Sequence, residues 1–289
     1  MGYDGLRVGL NTSEMRYRLI GENFEALNGF GNSGTWGLDL SYPLYRTLLS
    51  NVYGNAALDH KTFDNSSGGS TTTRYQMNTV SLGLSGNTSD TLGAGGTSFA
   101  SLTLTTGHVN LDGSPNQGAD AASTQTAGQF SKLRFAANRL QTISERLAVF
   151  VSLSGQLAGK NLDSGERFYL GGPSGVRAYP GSEAGGSEGT LASLELRWQS
   201  APGIQLTGFY DTGSVTVNHN NDFAGAPALN RLSLQGAGLA LEAKAFSAVN
   251  LKLTWARRIG ENPNPASTGN DQDGTLLRDR FWLSATLPF

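Results

Sequence analysis

Asp279-Arg280-Phe281-Trp282-Leu283-Ser284-Ala285-Thr286-Leu287-Pro288-Phe289 closes the chain. Successive side chains of an extended strand point to opposite faces, so Phe281, Leu283, Ala285, Leu287 and Phe289 share one apolar face that runs to the last residue. A terminal aromatic has no special job in a protein surrounded by water, and the stretch turns a glycine-rich sequence into a membrane hypothesis.

The composition narrows that hypothesis. The chain has 289 residues, 38% hydrophobic and 15% charged, with 39 glycines. No segment approaches the roughly 18 consecutive apolar residues of a membrane helix. Helical periodicity is nearly absent, and the chain reads as all-β. A transmembrane antiparallel up-and-down β-barrel fits, because its strands alternate lipid-facing apolar and lumen-facing polar residues and average out as hydrophilic. Period-two alternation marks about twelve runs: 3–20, 34–46, 50–64, 74–88, 95–110, 128–142, 145–160, 188–200, 203–217, 230–246, 248–260 and 278–289. Most exceed the roughly 9–11 residues that a tilted strand needs to cross hydrocarbon.

The connections alternate in length. Residues 21–33, 65–73, 111–127, 161–187, 218–229 and 261–277 are long and polar, whereas tight links are expected near Thr47 to Ser50, Asp90 to Gly93, Ser144, Ala201 to Pro202 and Ser247. Elaborate loops at one end and turns at the other are the asymmetry of outer-membrane barrels. The faces separate as well: Ala192, Leu194, Leu196 and Trp198 against Ser193, Glu195, Arg197 and Gln199. In the tenth run the apolar phase slips from Leu232 and Leu234 to Leu239 and Leu241 across Gly236 and Gly238, which predicts a bulge or kink. Tyr42, Trp198, Tyr210, Trp255, Phe281 and Phe289 fall near predicted strand ends, as an interfacial aromatic belt requires.

The long connection 161–187 carries Glu166-Arg167-Phe168-Tyr169-Leu170-Gly171-Gly172-Pro173-Ser174-Gly175-Val176-Arg177-Ala178-Tyr179-Pro180-Gly181. A solvated loop needs neither these aromatics nor these arginines. Leu170, Val176 and Tyr179 predict that the loop packs inside the barrel lumen, where Arg177 would demand a carboxylate, since an unpaired charge away from water is costly.

Here the chain resembles the outer-membrane transporters of two-partner secretion, the TpsB type of haemolysin secretion/activation proteins, within the superfamily that includes the BamA-like insertases. In that superfamily a Val-Arg-Gly-Tyr/Phe loop folds back into the barrel and its arginine pairs with the aspartate of a Phe-x-Asp-x-Gly-like strand motif. This sequence has Val176-Arg177-Ala178-Tyr179 and Phe209-Tyr210-Asp211-Thr212-Gly213, with alanine in place of the usual glycine. The resemblance implies an Arg177–Asp211 pair. It extends through Leu40-Ser41-Tyr42-Pro43-Leu44 and Ala57-Leu58-Asp59-His60-Lys61. The five runs after the loop match the family. The resemblance further implies a sixteen-stranded barrel preceded by two periplasmic POTRA domains, so that residues 1–289 are a partial barrel domain. It implies a terminal strand, with Phe281, Leu283, Leu287 and Phe289, read as an assembly signal by the barrel assembly machinery. It also implies a secreted TpsA-type exoprotein as partner, and an integral place in the Gram-negative outer membrane lipid.

Other chemistry finds little support. The net charge of −2 comes without a basic stripe, so nucleic acid is not an expected partner. Zero cysteine removes thiolate metal sites and suits passage through an oxidising periplasm. Met1-Gly2-Tyr3-Asp4 opens without a signal-peptide pattern, which is expected if a leader was removed or the chain is a fragment. His60, His108 and His219 lack metal-ligand spacing, so no metal or other cofactor is expected. Gly171 to Gly175 lacks the lysine of a phosphate loop and reads as a tight turn. No Ser/His/acid set converges, so no enzyme activity is expected. The expected function is a pore that secretes and activates a partner exoprotein. A passive channel or barrel remnant, and a BamA-like insertase, are the alternatives.

Overall fold

The structure, a computed structural model, describes residues 5–20, 28–245 and 249–287. Twelve strands form one sheet in which every neighbour in sequence is an antiparallel neighbour in space. Before the long loop lie β1 (Arg7–Arg18), β2 (Phe30–Arg46), β3 (Ser50–Ser67), β4 (Ser70–Asp90), β5 (Gly96–Asn110), β6 (Gly128–Ser144) and β7 (Leu147–Ala158). Inside the loop a two-residue ribbon pairs β8 (Phe168–Tyr169) with β9 (Gly185–Gly186). After it come β10 (Glu188–Ala201), β11 (Ile204–Thr216), β12 (Arg231–Ala245), β13 (Val249–Arg258) and β14 (Asp279–Thr286). Among the described residues β1 and β14 each pair on one side, leaving the sheet open.

Register turns alternation into two continuous surfaces. Val8, Leu40, Ala56, Leu82, Leu104, Leu133 and Leu157 are successive cross-strand partners from β1 to β7. Leu147, Trp198, Leu206, Leu241, Leu253 and Leu283 continue the same face to β14. Most of these large side chains are exposed. So contiguous an apolar surface marks a membrane-facing wall. Burying each leucine is worth roughly 1.5–3 kcal/mol, so a surface this apolar calls for a non-aqueous surrounding.

Three of the expectations fail. The stretch 65–73 is not a long loop: β3 and β4 run on to a two-residue turn at Gly68 and Gly69, whose φ of 59° and 81° suit the primed turn that twisted hairpins favour. At about 3.4 Å per residue, the 21-residue β4 spans ~70 Å and stands well clear of a hydrocarbon core of about 30 Å. Nor is there a bulge at Gly236 and Gly238, since the β11–β12 and β12–β13 registers run through both glycines unbroken. Register shifts lie instead at Pro43/Tyr45, Asn65/Ser66, Thr142/Ser144 and Gln199/Ala201.

The phase slip in β12 has a packing cause. Leu232 and Leu234 keep the inward phase and are buried against the long loop, while Leu239 and Leu241 face outward. The glycines between them make room: a Cβ on Gly236 would lie 2.5 Å from that of Ala178, and one on Gly238 would lie 2.6 Å from the Phe209 ring. Tyr210 sits in the middle of β11 rather than near its end. The Ser247 link lies outside the described residues.

Candidate functional site: the folded loop and its arginine pocket

The connection between β7 and β10 lies along the inner face of the wall and forms both hydrophobic cores. Leu162 near its start is buried with Tyr75, Met77, Val109, Leu111 and Phe130 of the β4–β6 region. Its tip buries Leu170, Val176, Ala178 and Tyr179 against Phe209, Val215, Leu232, Leu234 and Ala256 of β11–β13. The glycine run between the arms is a turn, with the Gly175 amide donating to the Gly172 carbonyl at 3.0 Å. Its glycines are demanded by close approach: a Cβ on Gly171 would lie 2.1 Å from the Pro180 carbonyl oxygen, and one on Gly175 would lie 1.9 Å from that of Leu170.

Arg177 projects from this tip into a pocket on β10 and β11. Its Nη2 reaches Asp211 Oδ1 at 2.7 Å and its Nε reaches Asp211 Oδ2 at 2.8 Å, a two-pronged pairing. Nη1 donates to Glu195 Oε1 at 2.8 Å, and Nη2 also donates to Ser193 Oγ at 3.0 Å. The Phe209 ring lies 3.5 Å beneath the guanidinium carbon, and such a contact adds roughly 0.5–2 kcal/mol. Burial works against the charge, but the Asp211 and Glu195 carboxylates outweigh it and hold Arg177 above its ordinary pKa. The Arg177 carbonyl accepts from Trp282 Nε1 at 2.8 Å, tying the tip to β14.

This geometry explains the strand motif. Phe209, Asp211 and Gly213 are two residues apart and share the inward face: the first lies under the guanidinium, the second pairs with it, and the third leaves space for Leu170, whose Cδ2 would be 2.6 Å from a Cβ there. Val176, Ala178 and Tyr179 are fully buried around the arginine. Ala178 is absent from the positive-φ positions, which fall at Gly172, Ser182 and Ala184 in this loop, so its methyl costs no strain and fills the notch above Gly236.

Three features escaped sequence reasoning. Glu195 and Ser193 complete the arginine pocket, and their inward phase in β10 was the available signal. The last long loop grips the tip, with Asn262 Nδ2 and the Gln272 amide each donating to Glu183 at 2.9 Å. Asp271 there ion-pairs with Arg258 and Arg280. A third cluster joins Glu166 to Lys61 and Lys132.

Phe281, Leu283 and Leu287 face outward, 69%, 76% and 59% exposed, away from the arginine pocket. Phe289 lies outside the described residues. His60 and His108 share the outer surface near the upper limit of the apolar band, and His219 contacts Glu188.

Comparison with known proteins agrees with this architecture. Residues 1–245 match the family profile of the haemolysin secretion/activation protein ShlB/FhaC/HecB. The heme/hemopexin transporter protein HuxB of Haemophilus influenzae is 27% identical over 290 residues, covering 98% of this chain and 49% of that protein. The outer membrane transporter CdiB of Dickeya dadantii is 28% identical over 245 residues, covering 79% of this chain and 41% of that one. The chain thus spans about half the length of the curated relatives it matches. Among solved structures, CdiB of Escherichia coli superposes with a TM-score of 0.77 at 18% identity, over 98% of this chain and 50% of that one. CdiB of Acinetobacter baumannii gives 0.65 at 19% identity, over 89% and 44%.

Proposed function

We propose, from the premise that the chain belongs to the haemolysin secretion/activation family of ShlB, FhaC and HecB, that it forms the barrel wall and lumen loop of a two-partner secretion pore. The pore sits as an integral protein in the outer membrane and moves an unfolded TpsA-type exoprotein outward. The observation that carries this reading is the loop folded along the inner face and fixed there by Arg177 in a pocket of two carboxylates. Among the described residues β1 and β14 each keep one edge without a strand partner, which supports membership of a larger barrel, since backbone groups left open to hydrocarbon are not tolerated. The outward Phe281, Leu283 and Leu287, with Phe289 two residues on in the sequence, are read as the segment handled by the barrel assembly machinery before the wall meets lipid. No reaction and no nucleic-acid contact is assigned to the chain.

The test is export of the partner exoprotein, followed in culture medium, from cells carrying Arg177→Ala or Asp211→Ala. Secretion falls while the barrel still inserts, as judged by heat-modifiable mobility on gels. Unchanged secretion in both variants overturns the role given to the loop.

A further inference from the structure

The loop carries a second buried charge that the transport reading has not used. Glu166 ends a single 3-10 turn, Ser164–Glu166, and is 3% exposed. Its Oε1 meets Lys61 Nζ of β3 at 2.6 Å, and its Oε2 pairs with Lys132 Nζ of β6. Lys132 also donates to the Glu166 backbone carbonyl at 3.1 Å. Gln156 of β7 donates to that carbonyl at 3.0 Å and to the Ser187 carbonyl at 2.9 Å, so one amide holds both ends of the loop. Arg134 Nε in turn holds Gln156 Oε1 at 2.6 Å. Burial alone would push the Glu166 carboxyl up, but Lys132 and Lys61 hold it below the usual glutamate range, and it stays ionised.

We propose that Glu166 is a second positioning residue of the loop, a pin that ties its first arm to β3 and β6 while Arg177 ties its tip to β10 and β11. Two ammonium groups on the inner wall would be costly without a carboxylate between them, and Glu166 is the loop's answer to both. With both pins set, the loop is a strap fixed to two separate stretches of wall. Passage of a polypeptide along the lumen requires one pin to yield. Both pins are buried at their centres, Lys132 and Glu166 at 4% exposure against Arg177 at 8% and Asp211 at zero. The Arg177 fork is two-pronged with a ring beneath it, whereas the Lys61 side chain at the Glu166 pin is 24% exposed and can be taken up by water. The Glu166 pin therefore yields first and sets how often the strap swings aside.

The proposal rests on the pore reading, but its test needs no cargo. The protein extracted from outer membranes is placed in planar bilayers, and the frequency of wide openings is compared for wild type, Glu166→Gln, and the reversed pair Glu166→Lys with Lys132→Glu, the last made together with Lys61→Met so that no lysine faces the new one. Glu166→Gln keeps the shape and removes the charge, and raises wide openings about tenfold, the change that 1.4 kcal/mol produces in an equilibrium. The reversed pair restores the charge contact and brings the frequency back toward wild type, which a merely structural defect would not do. Wild-type openings in folded Glu166→Gln, or a reversed pair no quieter than Glu166→Gln, overturns the proposal. If Glu166→Gln does not insert, Lys61→Met, which leaves the Lys132 contact intact, carries the test: openings rise by a smaller factor, and no rise overturns it. Unchanged openings in a protein that still secretes count against the pin alone, whereas secretion indifferent to Arg177→Ala and Asp211→Ala counts against the pore reading.

Discussion

Asp211→Asn removes one charge from the arginine pocket while leaving its shape. Arg177 and Asp211 have side-chain exposures of 8% and 0%, so solvent screens their contact little. Breaking a buried ion pair by removing one partner costs roughly 3–5 kcal/mol. Glu195 remains 2.8 Å from Nη1, so Asp211→Asn should sit at the low end, about 3 kcal/mol. Arg177→Met strands the Asp211 carboxylate with the Ser193 hydroxyl, 2.7 Å away, and also loses the Phe209 contact, for about 4 kcal/mol. The double variant buries no unmatched charge from that pair, and Arg197 still neutralises Glu195 at 2.6 Å. It should therefore cost about 4 rather than 7 kcal/mol, a coupling of about 3 kcal/mol at the upper end for residues in contact. The reporter is built in: Trp282 donates to the Arg177 carbonyl, so its fluorescence follows docking of the tip. With the outward-facing Trp36, Trp198 and Trp255 replaced by phenylalanine, urea titration in liposomes isolates that signal. If the two single costs add to within about 0.5 kcal/mol, the pocket does not hold the loop as a charge pair.

The remaining predictions use the same preparation. Gly175→Ala drives a Cβ into the Leu170 carbonyl and abolishes the docked Trp282 signal without changing strand content by circular dichroism, whereas Gly118→Ala, with nothing within 4 Å, leaves both unchanged. Burial, with Asp271 and Asp273 nearby, holds the Glu183 carboxyl above the usual glutamate value. A raised folded value means that docking is strongest below the ordinary value and weakens as pH climbs through the raised one. Asp271 and Asp273 are held low despite burial, by arginine and hydroxyl contacts, and their contributions vanish as pH falls below the ordinary aspartate value. Docking should therefore peak in mild acid, and Glu183→Gln should flatten the fall of the Trp282 melting temperature as pH rises above the ordinary glutamate value. Leu253→Lys, on the lipid face, should cost about 2–4 kcal/mol in folded fraction, while Thr254→Ser on the inner face should cost far less, both by heat-modifiable mobility.

Strand number and order were legible because each wall strand repeats every two residues, and β10 with Leu194, Leu196 and Trp198 opposite Glu195 and Arg197 shows the pattern undiluted. The pattern failed where the environment changes along a strand. Above the lipid, Ser66, Ser67, Thr71 and Thr72 have no apolar face to display, so strand was read as loop. In β12 the lumen itself becomes apolar where the loop fills it, so Leu232 and Leu234 mimic a slip of register. Arg177 and Asp211 were found because a motif pairs them at 34 residues' separation, whereas Lys61 and Glu166, 105 residues apart, bear no local mark of each other.

The inward leucines of β12 also define what can be inherited together. Leu232, Leu234 and Gly236 fit this loop tip, with Ala178 lodged above the glycine. A recombinant barrel given residues 161–187 of another lineage would receive a key without its lock, exposing two leucines to lumen water and closing the notch on a foreign side chain. Loop and strand must therefore exchange as one cassette, and the crossovers that shuffle such barrels in evolution should fall before β7 or after β12, seldom between them.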